Sequence, residues 1–355
     1  MANWRRLTGV AGLAAGAVAA GAGAVVMAEK IAVGRIRLRP DPAAGVPFGD
    51  AYGEQMTVRA DDGLPLHVQL CGPTDAPVTI IFCHGYALNA DVWYYQRAGF
   101  SATARCVFPD QRSHGRSGRS DPELVSIDQL GADLHEILMA TAPGDMPVVL
   151  VGHSMGGMTI MALADQHPEL FGDKVIGAVL INTAAATVDP LTWLPAPIRP
   201  AMRRAVPSMM TGASKGRIAE VVERGRRSAS DIAFLGTRHL AFGDPKTSPT
   251  VVDFLERIVR ATPIDVIADF YVALVGHEKR RALNVLSKIP VLVLAADKDR
   301  LVEPSLSDEI ATAIVGAELV KVAGAGHVVI LERPEEVNEA IAKLVAHALA
   351  EHDGG

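Results

Sequence analysis

A serine between glycines is the first residue of this chain with an evident chemical use. An apolar run at residues 147–151 leads into Gly152-His153-Ser154-Met155-Gly156-Gly157, and a helical pattern follows at residues 159–165. When a strand leads through a sharp turn into a helix, the turn raises the serine Oγ clear of the sheet. Glycine is needed on both sides of the serine because neighbouring backbone atoms leave no space for a side chain. The spacing therefore predicts a nucleophilic serine at Ser154.

A base and a carboxylate follow later in the chain. Asp297 and Asp299 come directly after an apolar run at residues 291–295, and His327 comes after a second run at residues 319–322 and a glycine-rich turn. In this set His327 would take the proton of Ser154, and a carboxylate would fix the tautomer of the imidazole. Both aspartates are candidates for that acid. The order along the chain is serine, aspartate, histidine.

The turn His84-Gly85-Tyr86-Ala87 is the candidate for holding a negatively charged oxygen. It follows an apolar run at residues 78–83, so we expect it at the end of a strand. Backbone N–H groups in such a turn stabilise the oxyanion of an acyl-transfer reaction. We predict an oxyanion hole made by the N–H of Tyr86 and the N–H of Met155.

Other polar and aromatic residues near these turns have simpler interpretations. His84, His114 and His153 are expected to be structural. Trp93 and Tyr86 are candidates for the wall of an acyl pocket or for ordinary packing. Three cysteines, an odd number, fall in or beside apolar runs and are interpreted as buried free thiols without the spacing of metal ligands: Cys71, Cys83 and Cys106.

Apolar runs suited to buried strands alternate with helical patterns through most of the chain. The runs are rich in Val, Ile and Leu, as expected of strands that are covered on both faces. Residues 127–139 and 337–349 carry apolar stripes at helical spacing. This alternation predicts an α/β fold with a mostly parallel, doubly wound sheet. Short β-rich runs at residues 55–59 and 66–70 predict an antiparallel pair in front of it.

One long interval interrupts this alternation. Residues 186–288 separate two core strands that one helix would normally join, and their periodicity is helical. We interpret them as an inserted helical cap over the edge of the sheet where ligands bind in α/β proteins. The core is then predicted at residues 55–185 and 289–355. Prolines and glycines at residues 40–54 are interpreted as a linker that follows an N-terminal segment at residues 1–39.

These segments together resemble the α/β-hydrolase superfamily, specifically its serine branch with a helical cap. Monoacylglycerol lipases, small carboxylesterases and cofactor-free haloperoxidase-like perhydrolases show a similar Gly-x-Ser-Met-Gly-Gly turn and His-Gly loop. Residues 110–117 are similar to the Asp-x-Arg-Gly-His-Gly-x-Ser of the family, with Ser113 in place of a glycine. The acid loop of the family is Gly-x-x-Asp, with Ala296 at the glycine position here. Alignment with this pattern selects Asp299 over Asp297.

The resemblance implies an enzyme that cleaves carboxylic esters with an apolar acyl or alcohol part, through an acyl-serine. No metal or organic cofactor is expected. Epoxide hydrolases and haloalkane dehalogenases of similar fold carry aspartate at the position of Ser154, so the serine directs the reaction toward acyl transfer. A thioesterase, a lactone-forming enzyme or a perhydrolytic enzyme would use the same triad and stays an alternative. The complete triad disfavours a binding module without enzymatic activity.

Composition limits the partners. The chain has 355 residues, of which 49% are apolar, and a formal net charge of −6. It can therefore bury a large core, and it lacks the strongly basic balance expected of a protein that binds nucleic acid. The sequence leaves the oligomeric state open.

The N-terminal segment is the most uniform part of the chain. Residues 7–28 carry no charge, and 14 of these 22 residues are Gly or Ala. As a helix the segment would reach about 33 Å, which is enough to cross a bilayer. We interpret it as a membrane anchor or, alternatively, as a secretory signal cleaved near Ala28. An Ala-rich arm without regular order is the third interpretation.

Overall fold

The computed structural model describes residues 30–31, 33–49, 53–188, 200 and 230–354. The predicted apolar helix at residues 7–28 lies outside these ranges, and so does part of the predicted cap. Within the described ranges no helix has the length and apolar character needed to cross a membrane.

The strands of the described ranges are β1 (Glu54–Arg59), β2 (Pro65–Cys71), β3 (Thr79–Cys83), β4 (Arg105–Pro109), β5 (Val148–His153), β6 (Val175–Ile181), β7 (Val291–Ala296) and β8 (Glu318–Val322). They form one sheet in the order β1-β2-β4-β3-β5-β6-β7-β8. The pairs β1/β2 and β2/β4 are antiparallel, and the other neighbours are parallel. The predicted α/β fold with a mostly parallel sheet is confirmed, as is the leading antiparallel pair.

Helices cover both faces of this sheet, and several lie in the described part of the interval between β6 and β7. Those described are α1 (Tyr94–Phe100), α2 (Ile127–Thr141), α3 (Met155–Gln166), α4 (Ser230–Ala241), α5 (Pro249–Ala261), α6 (Ile264–Val275), α7 (Leu283–Leu286), α8 (Pro304–Ala313), α9 (Val329–Glu332) and α10 (Pro334–Gly354).

Side chains of the central strands point alternately into two apolar layers, one on each face of the sheet. In β3, Ile80 and Phe82 pack in the layer that includes Phe100 of α1. Ile81 packs in the opposite layer with Leu134 of α2. All residues of β3, β5 and β6 are buried, as expected of parallel strands with helices on both faces. The carboxyl ends of these strands meet at one edge, where the predicted functional loops lie.

Helices α4 to α7 fall inside the predicted cap at residues 186–288. In α5, apolar residues recur at helical spacing, and Val252, Phe254 and Leu255 are buried. Leu255 and Val259 line a cavity that also contains Ser154. The limits of the cap remain a prediction, because residues 189–199 and 201–229 lie outside the described ranges.

Residues 33–49, called the strap below, lie against the folded body. Asp41 accepts hydrogen bonds from the hydroxyl of Thr250, at 2.6 Å, and from that of Ser248. The ring of Phe48 stacks on that of Phe254, with centroids 4.5 Å apart. Part of the stretch predicted as a linker, residues 41–48, therefore holds defined contacts. These contacts join positions more than 200 residues apart in the chain, so no local pattern reveals them.

Candidate active site

Ser154 occupies a sharp turn between β5 and α3. Its backbone has φ +54° and ψ −117°, a conformation that costs a residue with a side chain about 1–3 kcal/mol. The turn is tight: a Cβ on Gly156 would lie 2.0 Å from the carbonyl oxygen of Cys83, and a Cβ on Gly152 would lie 2.5 Å from Gly156. Glycine is therefore required at both positions for the serine to occupy this turn.

The neighbouring strand β6 holds the serine turn in place. The N–H of Ser154 donates to the carbonyl of Ile181 at 2.9 Å. The hydroxyl of Thr183, just beyond β6, donates to the carbonyl of Ser154 at 2.7 Å. Both bonds restrain the backbone, which leaves the side chain of Ser154 free to react.

Asp299 and His327 are in direct contact. Nδ1 of His327 donates to Oδ2 of Asp299 at 2.7 Å, and the other carboxylate oxygen accepts the N–H groups of Leu301 and Val302 at 2.8 and 2.9 Å. The side chain of Asp299 is only 1% exposed. Because the carboxylate accepts a hydrogen bond from Nδ1–H, the proton of the neutral ring stays on Nδ1, and Nε2 is the nitrogen that can accept another.

Asp297, the other predicted candidate for the acid, has a different partner. Its carboxylate accepts the N–H of Gly324 at 2.6 Å, and the residue is exposed. The structure thus brings Asp299 to His327 and leaves Asp297 at the surface of the same loop.

Two side chains hold the backbone of His327. Nε2 of His153 donates to the carbonyl of His327 at 2.9 Å, and Nδ2 of Asn182 donates to it at 2.7 Å. Burial and the nearby His327 lower the pKa of His153 to about 3, so its ring is neutral at pH 7. Oδ1 of Asn182 accepts the N–H of Ala296 at 2.8 Å. Asn182 therefore joins the end of β7 to the loop of His327.

The two N–H groups predicted to form an oxyanion hole are available beside the serine. Met155 is the first residue of α3, where an N–H has no acceptor within the helix. The N–H of Tyr86 donates to no acceptor within the described part of the chain. Gly85 passes close to the serine, since a Cβ on it would lie 3.2 Å from that of Ser154. Gly85 and Tyr86 also line the cavity that contains Ser154.

Two buried histidines support this loop. Nδ1 of His84 donates to the carbonyl of Gly85 at 2.8 Å, and its Nε2 accepts the N–H of Gln111 at 2.9 Å. Nε2 of His114 accepts the N–H of Ala87 at 3.2 Å. Burial lowers the pKa of His84 to about 4 and that of His114 to about 3. Both rings are therefore neutral at pH 7 and serve as fixed hydrogen-bond partners.

Ser154 and His327 open onto an apolar cavity of about 350 Å³. Helices α4, α5 and α6 supply much of its wall. Such a size and lining suit an apolar group rather than a charged one. The apolar side chains in the wall include Leu88, Met158, Val188, Leu240, Leu255, Val259, Leu274, Leu301, Val302 and Val328.

The structure separates the two aromatic candidates for this wall. Tyr86 lines the cavity, and its hydroxyl donates to the carbonyl of Ile267. Trp93 does not line it, so of its two predicted places, the acyl pocket and ordinary packing, the structure contradicts the first. Its ring is fully buried in the core beside Phe82, with centroids 5.3 Å apart, because the short 3₁₀ helix Ala90–Trp93 packs on β3.

The described ranges contain no group of three or more His, Cys, Asp or Glu residues placed to hold a metal ion. The three cysteines, all within the described ranges, do not line the cavity that contains Ser154. Burial raises the pKa of Cys83 to about 12, so this residue is a thiol at pH 7. Cys71 and Cys106 oppose each other across β2 and β4.

The sequence matches the model of the alpha/beta hydrolase family over residues 80–340. This range runs from β3 into α10 and covers more than half of the chain. The chain belongs to the alpha/beta hydrolase family. In this hydrolase Ser154, Asp299 and His327 follow the carboxyl ends of the parallel strands β5, β7 and β8.

Known proteins similar to this hydrolase include two curated relatives. The AB hydrolase superfamily protein YisY of Bacillus subtilis is 28% identical over 271 residues, which are 74% of this chain and 90% of YisY. The sn-1-specific diacylglycerol lipase ABHD11 of Mus musculus is 26% identical over 285 residues, which are 80% of this chain and 86% of the lipase.

A solved structure shows the same fold. A thermophilic esterase from Thermogutta terrifontis superposes with a TM-score of 0.65 at 22% identity, over 83% of this chain and 99% of the esterase.

Thr183 and Asn182 are supporting residues of this hydrolase that the sequence analysis did not predict. They lie just beyond β6, and their partners are on other loops, so the only signal available was their position at the end of a buried strand.

Proposed function

We propose that this hydrolase cleaves carboxylic esters with an apolar acyl or alcohol part, through an acyl-serine at Ser154. The observation that carries the proposal is the 2.7 Å hydrogen bond between His327 and Asp299 at the apolar cavity that also contains Ser154. The similarity to a curated diacylglycerol lipase supports an ester bond as the target. The serine at the turn between β5 and α3 supports acyl transfer.

In the proposed reaction the Oγ of Ser154 attacks the carbonyl carbon of the ester while Nε2 of His327 takes the hydroxyl proton. Asp299 holds the ring and stabilises the imidazolium that forms. The imidazolium then gives its proton to the leaving alcohol, and the acyl group stays on Ser154. A water molecule then attacks the acyl carbon while Nε2 of His327 takes its proton. The bond between the acyl carbon and Oγ breaks, the imidazolium returns that proton to Oγ of Ser154, and the carboxylic acid leaves.

The oxyanion of the tetrahedral intermediate would accept hydrogen bonds from the N–H groups of Tyr86 and Met155. Removing one donor of this kind typically lowers kcat by about 10²- to 10³-fold. Met155 also begins α3, so the positive end of that helix faces the same oxygen. These groups favour the charged intermediate over the neutral ester.

The cavity wall supports an apolar substrate group. Each methylene that leaves water for an apolar wall contributes about 0.8 kcal/mol of binding. The wall therefore favours esters that place a short alkyl or aryl group beside Leu240 and Leu255. Thioester cleavage, lactone formation and perhydrolysis would use the same triad, and no observation on this chain favours them.

The proposal is tested with p-nitrophenyl esters of increasing acyl length, together with a thioester and a lactone of matched carbon number. We expect ester hydrolysis by the full chain and a loss of about 10³-fold or more in Ser154→Ala. Ser305→Ala, an exposed serine of α8, is the matched control and should keep the activity. A kcat/KM more than tenfold higher for the thioester or the lactone would replace the ester proposal with that alternative.

We also propose that residues 7–28 anchor the protein to a membrane. The support is an uncharged stretch of 22 residues beside a basic flank. Cell fractionation with carbonate extraction should leave the full chain in the membrane pellet and release a chain that starts at residue 30. Recovery of a soluble product that lacks the first 28 residues would instead establish the cleaved signal.

A further inference from the structure

The side chain of Glu332, the last residue of α9, joins two backbone segments that are distant in sequence. Its Oε1 accepts the N–H of Asp244 at 2.6 Å, and both of its oxygens accept the N–H of Gly243, at 3.0 and 3.1 Å. Its Oε2 accepts the N–H of Gly326 at 2.7 Å. One carboxylate thus holds the end of the α4 segment and the residue before His327.

The two segments held by Glu332 touch each other directly. A Cβ on Gly243 would lie 2.6 Å from the carbonyl carbon of Ala325, and a Cβ on Gly326 would lie 2.5 Å from the N of Gly243. The backbones are therefore in van der Waals contact, with no room for a side chain between them. The N–H of Val328 donates to the carbonyl of Ala241 at 3.0 Å on the other side of the same junction.

The junction also reaches the cavity and the acid loop. Leu240 and Ala241, at the end of α4, line the cavity beside Ser154. Nη1 of Arg300, next to Asp299 in sequence, donates to the carbonyl of Phe242 at 3.3 Å. The end of α4 is thus bound to the loops of both Asp299 and His327.

We infer that Glu332 is a positioning residue, whose carboxylate clamps the His327 loop to the end of α4. The clamp fixes the position of His327 relative to the part of the cavity wall that α4 supplies. The inference rests on the proposed function, since it treats His327 as the base. The carboxylate offers acceptors to three N–H groups at once, whereas a glutamine would offer one oxygen and turn an N–H₂ group toward the remaining donors.

Glu332→Gln should therefore loosen the loop of His327 without removing any reacting group. A displacement of about 1 Å in a catalytic group lowers the rate by roughly 100-fold. We expect kcat for p-nitrophenyl butyrate to fall by about 10- to 100-fold, with KM changed by less than about threefold, because the substitution removes no side chain that lines the cavity. The rate of labelling by a fluorophosphonate should fall by the same factor as kcat.

The experiment compares the full-length wild type, Glu332→Gln and the matched control Glu336→Gln. Glu336 is an exposed carboxylate four residues later, paired only weakly with Arg333 at 3.8 Å. Amide hydrogen exchange is measured at Gly243, Asp244 and Gly326 in the same samples. We expect protected amides in the wild type and in the control, and faster exchange in Glu332→Gln.

A second variant tests the junction without changing the carboxylate. Gly243→Ala inserts a Cβ between the touching backbones, and Gly236→Ala, where nothing lies within 4 Å, is its control in α4. Gly243→Ala should lower kcat as Glu332→Gln does, and the double variant should lose less than the product of the two factors.

The positioning role of Glu332 and the proposed ester hydrolysis fail through different results. An active wild type whose kcat is unchanged by Glu332→Gln and by Gly243→Ala would overturn the inference. Unprotected amides at the junction of the wild type would overturn it as well, even if both variants failed to fold. A wild type that hydrolyses no ester contradicts the proposed function, and hydrogen exchange then decides by itself whether Glu332 clamps the loop.

Discussion

His327 and Asp299 form a 2.7 Å hydrogen bond although they lie 28 residues apart in the chain. Two backbone N–H groups hold the other oxygen of this carboxylate, which fixes its orientation toward the ring. Asp297 belongs to the same loop and has the same side chain, but it contacts Gly324 instead. The two aspartates are therefore a natural matched pair for testing which carboxylate serves His327.

Replacing Asp299 by Asn should lower kcat for an ester by about 10³- to 10⁴-fold, because an amide no longer selects the imidazole tautomer that leaves Nε2 free. Asp297→Asn should keep nearly full activity, since its amide oxygen can still accept the N–H of Gly324. Steady-state kinetics of both variants give the comparison. A larger loss in Asp297→Asn would assign the acid to the other residue.

Burial of His114 makes the stability of the fold depend on pH. Its pKa falls from 6.5 to about 3 in the folded state, so below pH 6.5 only the unfolded chain binds this proton. Stability therefore decreases as pH falls through this window. Between pH 7 and pH 5 this one residue should remove about 2 kcal/mol from the free energy of unfolding.

His114→Gln tests that value because glutamine keeps a donor and an acceptor for the same neighbours but does not titrate. Urea unfolding gives the free energy of unfolding at pH 7 and at pH 5. Its decrease between the two pH values should be about 2 kcal/mol smaller in the variant than in the wild type. Equal pH dependence of both proteins would mean that His114 is not held neutral in the fold.

The cavity wall predicts how substrate preference responds to a larger side chain. Leu240 lies in the wall contributed by α4, and Leu240→Trp should exclude roughly two methylenes of an acyl chain, which lowers kcat/KM for octanoyl relative to acetyl esters by about tenfold. Leu240→Ala should shift the preference the opposite way. An unchanged chain-length profile in both variants would place the acyl group elsewhere.

The strap should stabilise the folded body. Phe48 stacks on Phe254 and meets the ring of Tyr94 edge to face, with centroids 4.8 Å apart. Phe48→Ala should lower the free energy of unfolding by about 2 kcal/mol, as expected for a half-buried aromatic side chain. Leu38→Ala, at a side chain in the same strap that is 87% exposed, is the control and should have no measurable effect in urea unfolding.

Much of the fold could be predicted from the sequence because its strongest signals are local. The strands β3, β5, β6 and β7 are short apolar runs covered on both faces, whereas β8, at the edge of the sheet, is mostly exposed. Ser154 directly follows β5, Asp299 lies three residues after β7, and His327 lies five residues after β8. The end of a buried strand is visible in the sequence as the point where the apolar run stops. Each of these side chains could therefore be placed at one edge of the sheet without coordinates.

The residues that were missed act through contacts between distant segments. Asn182 and Thr183 look like ordinary polar residues after a strand, and Glu332 like an ordinary helical glutamate. Their roles depend on which loop lies opposite, and that follows from the packing of the whole sheet. Trp93 was open between the cavity wall and ordinary packing, because an aromatic residue near the turn of Tyr86 can point either way, and only the packing of the whole sheet places it in the core.

Covalent labelling tests the nucleophilic role of Ser154 most directly. The folded full chain is treated with a fluorophosphonate, and the site of attachment is located by mass spectrometry of its peptides. We predict one phosphonyl group, attached to Ser154, and no labelling of Ser154→Ala. A folded wild type that stays unlabelled, or that carries the label on another residue, would contradict the account.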